Sequence, residues 1–127
     1  MRALVIDDSR AMRRIVGGIL EDFGYEVRDA GDGRAALDVL EEGFTPDLAT
    51  VDWNMPVMDG LQFVSAVRSN PAYRTVTLMM VTTESEHSQI VRALAAGAHE
   101  YMIKPFTADA IRDKLALLGL LPQEVAL

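Results

Sequence analysis

The chain has 127 residues, half of them apolar and 24% charged, which is enough for one domain with a buried core and too little for two. Nineteen acidic against 12 basic residues give a formal net charge of −7, so nucleic acid and anionic membrane are excluded as main partners by simple repulsion. No cysteine is present, which removes disulfides, thiol nucleophiles and sulfur-ligated metals together.

Short β-rich runs alternate with helical patterns. Ala3–Asp7 reads as a first strand, and its apolar run stops at two aspartates, as no signal peptide does. Met12, Ile15, Val16, Ile19, Leu20 and Phe23 then recur at the spacing of one helix face. Tyr25–Ala30 alternates apolar with charged residues and reads as an edge strand. Ala36, Leu37 and Leu40 mark a second helix, opened by Asp32-Gly33. Asp47–Asp52 is a third strand; like the first it has no internal charge, so both read as central. Phe63, Val64 and Val67 follow Asp59-Gly60 as a third helix. Val76–Thr82 is a fourth strand, Ile90, Leu94 and Ala98 a fourth helix, and Glu100–Ile103 a fifth strand. Thr107 is a plausible N-cap for a last helix carrying Ile111, Leu115 and Leu118.

This alternation demands a parallel sheet with helices on both faces. No linker or low-complexity tract interrupts it, so a single domain over 1–127 without an output domain is expected. The longest apolar run, Leu115 to Leu121, is far shorter than the roughly 18 residues of a membrane span. A soluble cytoplasmic protein is the expectation. The tail from Leu117 to Leu127 is rich in leucine, which predicts that Leu120 or Leu121 packs back on the domain. The seven methionines read as core and loop filler.

In an open parallel sheet, ligands bind beyond the carboxyl ends of the strands. There the first strand ends in Asp7-Asp8, the third in Asp52 and the fourth in Thr82, and Lys104 follows the fifth. If the first and third strands are neighbours, about 4.8 Å apart, three carboxylates crowd one space. Each pair would repel by roughly 3 kcal/mol at an effective dielectric near 20. Such a site must take up protons or hold a cation, and hard oxygen ligands without His or Cys favour Mg²⁺. With Lys104 and the Thr82 hydroxyl beside it, the group describes a phosphoryl site with a carboxylate nucleophile. A lone strand-terminal aspartate is more often a helix cap, and Asp8 is a candidate for that role. Recurrence at one edge of four strands favours the site instead.

Those residues carry a resemblance that spans essentially the whole chain. Val5-Ile6-Asp7-Asp8-Ser9, Met12-Arg13-Arg14-Ile15-Val16, Asp52-Trp53-Asn54-Met55-Pro56, Met58-Asp59-Gly60, Met80-Val81-Thr82 and Lys104-Pro105-Phe106-Thr107 are its strongest stretches. The sequence resembles response-regulator receiver domains, and among them the stand-alone chemotaxis regulators. The resemblance implies a flavodoxin-like, doubly wound α/β fold: a five-stranded parallel sheet in the order 2-1-3-4-5 with five helices. It implies Asp52 as phosphoacceptor, and Asp7, Asp8, Asp52 and the backbone carbonyl of Asn54 as Mg²⁺ ligands. Thr82 and Lys104 would bind the phosphoryl oxygens, the Lys104-Pro105 bond would be cis, and Asn54 and Glu84 would tune hydrolysis.

The signal would leave through Thr82 and burial of Tyr101, reaching an output surface of Ile90, Tyr101, Ile103, Phe106 and Lys114. Ordinary packing is the competing reading of Ile90 and Ile103. Implied partners are a sensor histidine kinase of the chemotaxis type, a flagellar motor switch protein and a phosphatase, each meeting a monomer. Such a protein is no conventional enzyme; it catalyses only its own phosphorylation and dephosphorylation. Glu86 and His87 stand where the best-known relatives carry two lysines, which weakens the motor as target. A phosphorelay receiver serving a histidine phosphotransferase, or a binding module indifferent to phosphorylation, are the alternatives. A haloacid-dehalogenase-type phosphatase needs a second acid where this chain has Asn54. His87 and His99 lack metal-ligand spacing, and Trp53 is placed to report on the site by fluorescence.

Overall fold

The computed structural model describes residues 1–122, so residues 123–127 of the leucine-rich tail lie outside the described part. Its strands are β1 (Arg2–Ile6), β2 (Glu26–Ala30), β3 (Leu48–Val51), β4 (Thr77–Thr82) and β5 (Glu100–Ile103). They alternate with α1 (Arg10–Asp22), α2 (Gly33–Glu41), α3 (Gly60–Arg68), α4 (His87–Ala96) and α5 (Ala108–Leu117). The five strands form one parallel sheet in the order β2-β1-β3-β4-β5, the doubly wound order expected. β1 and β3 are central and β2 is an edge, as their charge patterns require.

Strand alternation divides the core into two layers. Leu4, Ile6, Ala49, Val51, Leu78 and Met80 point to one face, where α2, α3 and α4 bring Leu37, Leu40, Phe63, Val64, Val67 and Ala93. Ala3, Val5, Leu48, Met79, Val81 and Met102 point to the other, covered by Val16 and Leu20 of α1 and Ile111 and Leu115 of α5. Burying each such side chain contributes about 1.5–3 kcal/mol. Leu120 and Leu121 pack against the second layer, and the Leu120 carbonyl accepts from the Tyr25 hydroxyl. Burial, with Asp47 adding to it, pushes that phenol up to about 12.

The helix starts follow local chemistry. Asp32, Asp59 and Thr107 accept from the backbone amides of Ala35, Gln62 and Ala110 at 2.8, 2.8 and 3.0 Å. For α1, however, the cap is Ser9, whose hydroxyl accepts from Met12 N at 3.2 Å. Asp8 is therefore released from the capping role that the sequence also allowed. A short 3₁₀ helix, Pro71–Tyr73, precedes β4; Asn70 caps it and proline begins it.

Two features outside the core generate predictions. Val57, in the loop between β3 and α3, has φ of 68° and is 82% exposed, so a β-branched residue holds a left-handed conformation with no packing to compensate. Val57→Asn should raise stability by about 1 kcal/mol, read from urea unfolding; no change would show that the loop relaxes at no cost. His99 Nδ1 accepts the β4 amide of Leu78 at 3.1 Å, so the ring is held neutral there. Burial, and secondarily Arg68, lowers its pKa below the usual imidazole value. The unfolded chain then binds the extra proton first, and stability falls as pH drops below about 6.5. Melting temperatures between pH 7.5 and 5.5 should decline, and less steeply in His99→Gln; parallel curves would exclude His99 as the cause.

Candidate functional site

At the carboxyl edge of the sheet the ladder runs one residue past the assigned strands. Asp7 N donates to Ala30 O at 3.1 Å and Asp52 N to Ile6 O at 2.9 Å, so neither aspartate is free to swing away. Their carboxylates are then placed together by the neighbouring positions of β1 and β3. Asp7, Asp8 and Asp52 each offer an oxygen, and these oxygens lie within 4.8 Å of one another. Asp7 and Asp52 are 4% and 8% exposed, while Asp8 is open to solvent.

Lys104 reaches the same point from the loop after β5. Its Nζ is 2.7 Å from Asp7 Oδ2 and 3.5 Å from Asp52 Oδ2. The remaining oxygens are fixed by backbone donors: Ser9 N to Asp7 Oδ1 at 2.9 Å and Trp53 N to Asp52 Oδ1 at 2.8 Å. The Lys104–Pro105 peptide is cis. Three carboxylates facing one ammonium leave two negative charges without compensation. That excess, presented entirely by hard oxygen atoms with one acid accessible, fits a divalent cation that prefers oxygen.

Burial raises the pKa of Asp52, and Asp7 adds to the rise; the Thr82 hydroxyl, Lys104 and the Trp53 amide oppose it in that order. Burial wins. The Asp52 anion is thus less comfortable than a free carboxylate, and a nearby cation relieves it. Close packing holds the residue in place: a Cβ at Gly60 would meet the Asp52 carbonyl oxygen at 2.1 Å, so only glycine lets α3 begin this close. Arg13 of α1 secures the other aspartate, donating to Asp7 O at 2.7 Å and to Asp29 Oδ2 at 2.8 Å.

Thr82 is fully buried, and its Oγ1 accepts from Glu84 N at 3.3 Å. Glu84 follows Thr82 by two residues in the loop before α4. Its carboxylate accepts from Asn54 Nδ2 on one side and from Gln89 Nε2 of α4 at 3.0 Å on the other. The Tyr101 hydroxyl donates to the Glu84 carbonyl at 2.6 Å, so the buried Tyr101 ring is tied to the same loop. Burial first, and then Glu84 and Asp52, raise that phenol's pKa.

Asp7, Asp8, Asp52, Thr82 and Lys104 are therefore brought together, with Asn54 and Glu84 joined beside them. Ile90 is half-buried against the core on the α4 side, and Ile103 is 42% exposed at the end of β5. Lys114 Nζ is held by Glu100 Oε1 at 3.0 Å. Phe106 does not join Ile90 and Tyr101: it packs on the opposite face of the sheet, against the α1–α5 layer. Sequence reasoning gave no role to Arg13, to Gln89 or to Arg92, whose guanidinium lies 5.8 Å from the Trp53 ring centroid. Only their helical position hinted at them, because such contacts depend on which way each helix face turns.

Comparison with known proteins follows the same lines. Residues 3–116 match the response regulator receiver domain family. The chain is 39% identical over 119 residues to chemotaxis protein CheY1 of Helicobacter pylori, covering 93% of this chain and 96% of that protein. It is 39% identical over 116 residues to chemotaxis protein CheY of Pseudomonas aeruginosa, covering 91% and 93% respectively. Among solved structures, chemotaxis protein CheY4 of Vibrio cholerae superposes with a TM-score of 0.84 at 37% identity, covering 91% of this chain and 96% of that one. The receiver domain of a signal transduction histidine kinase from Syntrophus aciditrophicus gives 0.83 at 28% identity, covering 99% and 96%. With its fold, its acidic cluster and these relatives in agreement, the chain belongs to the response regulator receiver family and is a CheY-like signalling domain of two-component systems.

Proposed function

We propose that this protein is a single-domain response regulator whose Asp52 accepts a phosphoryl group from a histidine kinase and thereby changes partner binding. The observation that carries the reading is Lys104 Nζ between Asp7 and Asp52, inside a cluster of three carboxylates. Asp52 is the nucleophile: one of its carboxylate oxygens forms the bond to phosphorus as the bond from phosphorus to the donor nitrogen breaks. Mg²⁺, held by Asp7, Asp8, Asp52 and the Asn54 carbonyl, supplies positive charge to the phosphoryl oxygens when bound. Lys104 offers the second positive charge and Thr82 a hydroxyl donor. Asn54 and Glu84, hydrogen-bonded to each other beside the acidic cluster, govern how readily water reaches the product.

The switch is Thr82. Its hydroxyl can be drawn toward an incoming phosphoryl oxygen, away from Glu84 N, and the Glu84 carbonyl is bonded to Tyr101. Moving such an equilibrium from mostly off to mostly on needs about 5.5 kcal/mol of differential interaction, and a new doubly charged group at a buried site is a source of that size. The output surface is built from Ile90, Tyr101, Ile103 and Lys114; Phe106 serves the other face. A chemotaxis kinase, a phosphatase and a flagellar motor switch protein are the partners that fit, in the cytoplasm, with the protein as a monomer. The chain covers 93–96% of the length of the chemotaxis relatives it resembles.

A second reading, a phosphorelay receiver passing its phosphoryl group to a histidine phosphotransferase, draws on Glu86 and His87 at the start of α4. They replace the cations that a motor switch protein would meet, and Lys114 is already neutralised by Glu100. Pull-down with a beryllofluoride phosphoryl mimic separates the two readings by which partner is enriched.

Acetyl phosphate with Mg²⁺ should add one phosphoryl group by intact mass, and Asp52→Asn should abolish the adduct; an adduct that survives in that variant refutes Asp52 as acceptor. Lys104→Ala should slow labelling by at least tenfold, since one of two positive charges on the transferring group is lost; an unchanged rate removes Lys104 from the mechanism. Trp53 fluorescence should titrate with Mg²⁺, reverse with chelator, and weaken at least tenfold in Asp8→Asn. A chelator-insensitive signal would contradict the metal assignment.

A further inference from the structure

Beside the acidic cluster, on the α1 side of the sheet, lies a cavity of about 320 Å³ lined by Met12, Ile15, Thr83, Lys104, Pro105 and Phe106. That size sits at the small end of the ~300–1,000 Å³ range of small-molecule pockets. Its walls are hydrocarbon except for the Thr83 hydroxyl and one charge, Lys104, which faces Asp7 and Asp52 as well. Ile15 is 51% exposed although apolar, and the α1–α5 core does not need it. Lys104 is thus a wall shared by the phosphoacceptor site and an apolar recess. Nothing in the mechanism above uses that recess.

We propose that the recess is a leaving-group subsite for small phosphodonors, and that it selects acyl phosphates by the length of their hydrocarbon chain. An acyl phosphate has the matching polarity: an anionic end for Lys104 and an apolar tail for Met12, Ile15 and Phe106. The inference rests on the phosphoacceptor reading of Asp52. In the step concerned, an Asp52 carboxylate oxygen bonds to phosphorus while the bond from phosphorus to the acyl oxygen breaks. The acyl carboxylate departs with the electron pair, so no proton and no redox partner is required. The chain contacts the protein before and during transfer, and each methylene removed from water favours the longer donor by up to about fourfold.

The test compares acetyl, propionyl and butyryl phosphate in Mg²⁺ buffer, with kcat/KM for Asp52 labelling read by mass. The expected order is butyryl above propionyl above acetyl, by about two- to fourfold per methylene. Ile15→Asn and Ile15→Trp, the first polar and the second filling the recess, should bring the butyryl-to-acetyl ratio to about one while circular dichroism stays unchanged. As a readout independent of phosphorylation, butyl phosphonate with Mg²⁺ should shift the methyl resonances of Met12 and Ile15 in the wild-type protein, and methyl phosphonate should shift them less. Equal rates for all three donors, or variants that slow every donor alike, would overturn the subsite while leaving Asp52 as acceptor. Failure of all three donors to label Asp52 would instead overturn the reading on which it rests. If a phosphohistidine protein alone depends on Ile15, the recess serves a macromolecular donor and the proposal is wrong.

Discussion

The structure depends on an electrostatic imbalance that the sheet creates and cannot relieve alone. β1 and β3 are neighbours, their last backbone amides are still engaged in the ladder, and the aspartates that follow them have nowhere else to go. One lysine, arriving from the far edge of the sheet, answers part of the repulsion. The rest is available to a cation and to chemistry at Asp52. A hydrophobic sheet buried on both faces can sustain such strain at its end because its stability comes from the two apolar layers and not from the site.

A second set of contacts runs outward from the same edge of the sheet. Thr82, Glu84 and Tyr101 form a chain of hydrogen bonds from the buried edge of β4 to the face of α4 and β5. Glu84 is where the chain branches, because its carboxylate also holds Asn54 and Gln89. These bonds connect the Thr82 hydroxyl, through Glu84, to Gln89 in the first turn of α4.

Much of this was legible in the residues. Strand and helix order followed from apolar periodicity, and the edge position of β2 from the charges of Glu26 and Arg28. The clustering of Asp7, Asp8 and Asp52 follows from the strand order that the resemblance implies, because that order makes β1 and β3 neighbours and a parallel sheet gathers its strand ends at one edge. What escaped depends on side-chain direction. Ser9 rather than Asp8 caps α1, since the cap must sit where the backbone turns into the helix. Phe106 lies only three residues beyond Ile103 yet packs in the α1–α5 layer, away from Ile90 and Tyr101. The reach of Arg13 to the Asp7 carbonyl belongs to the same class: local sequence names a charged helical residue but not its distant acceptor.

The most direct examination of the central claim is anomalous diffraction from crystals soaked in Mn²⁺, an oxygen-preferring stand-in for Mg²⁺. A single strong peak within coordinating distance of the carboxylates of Asp7, Asp8 and Asp52 is the predicted result. A map with no peak there, or with Asp8 turned outward and the ion elsewhere, would contradict the account.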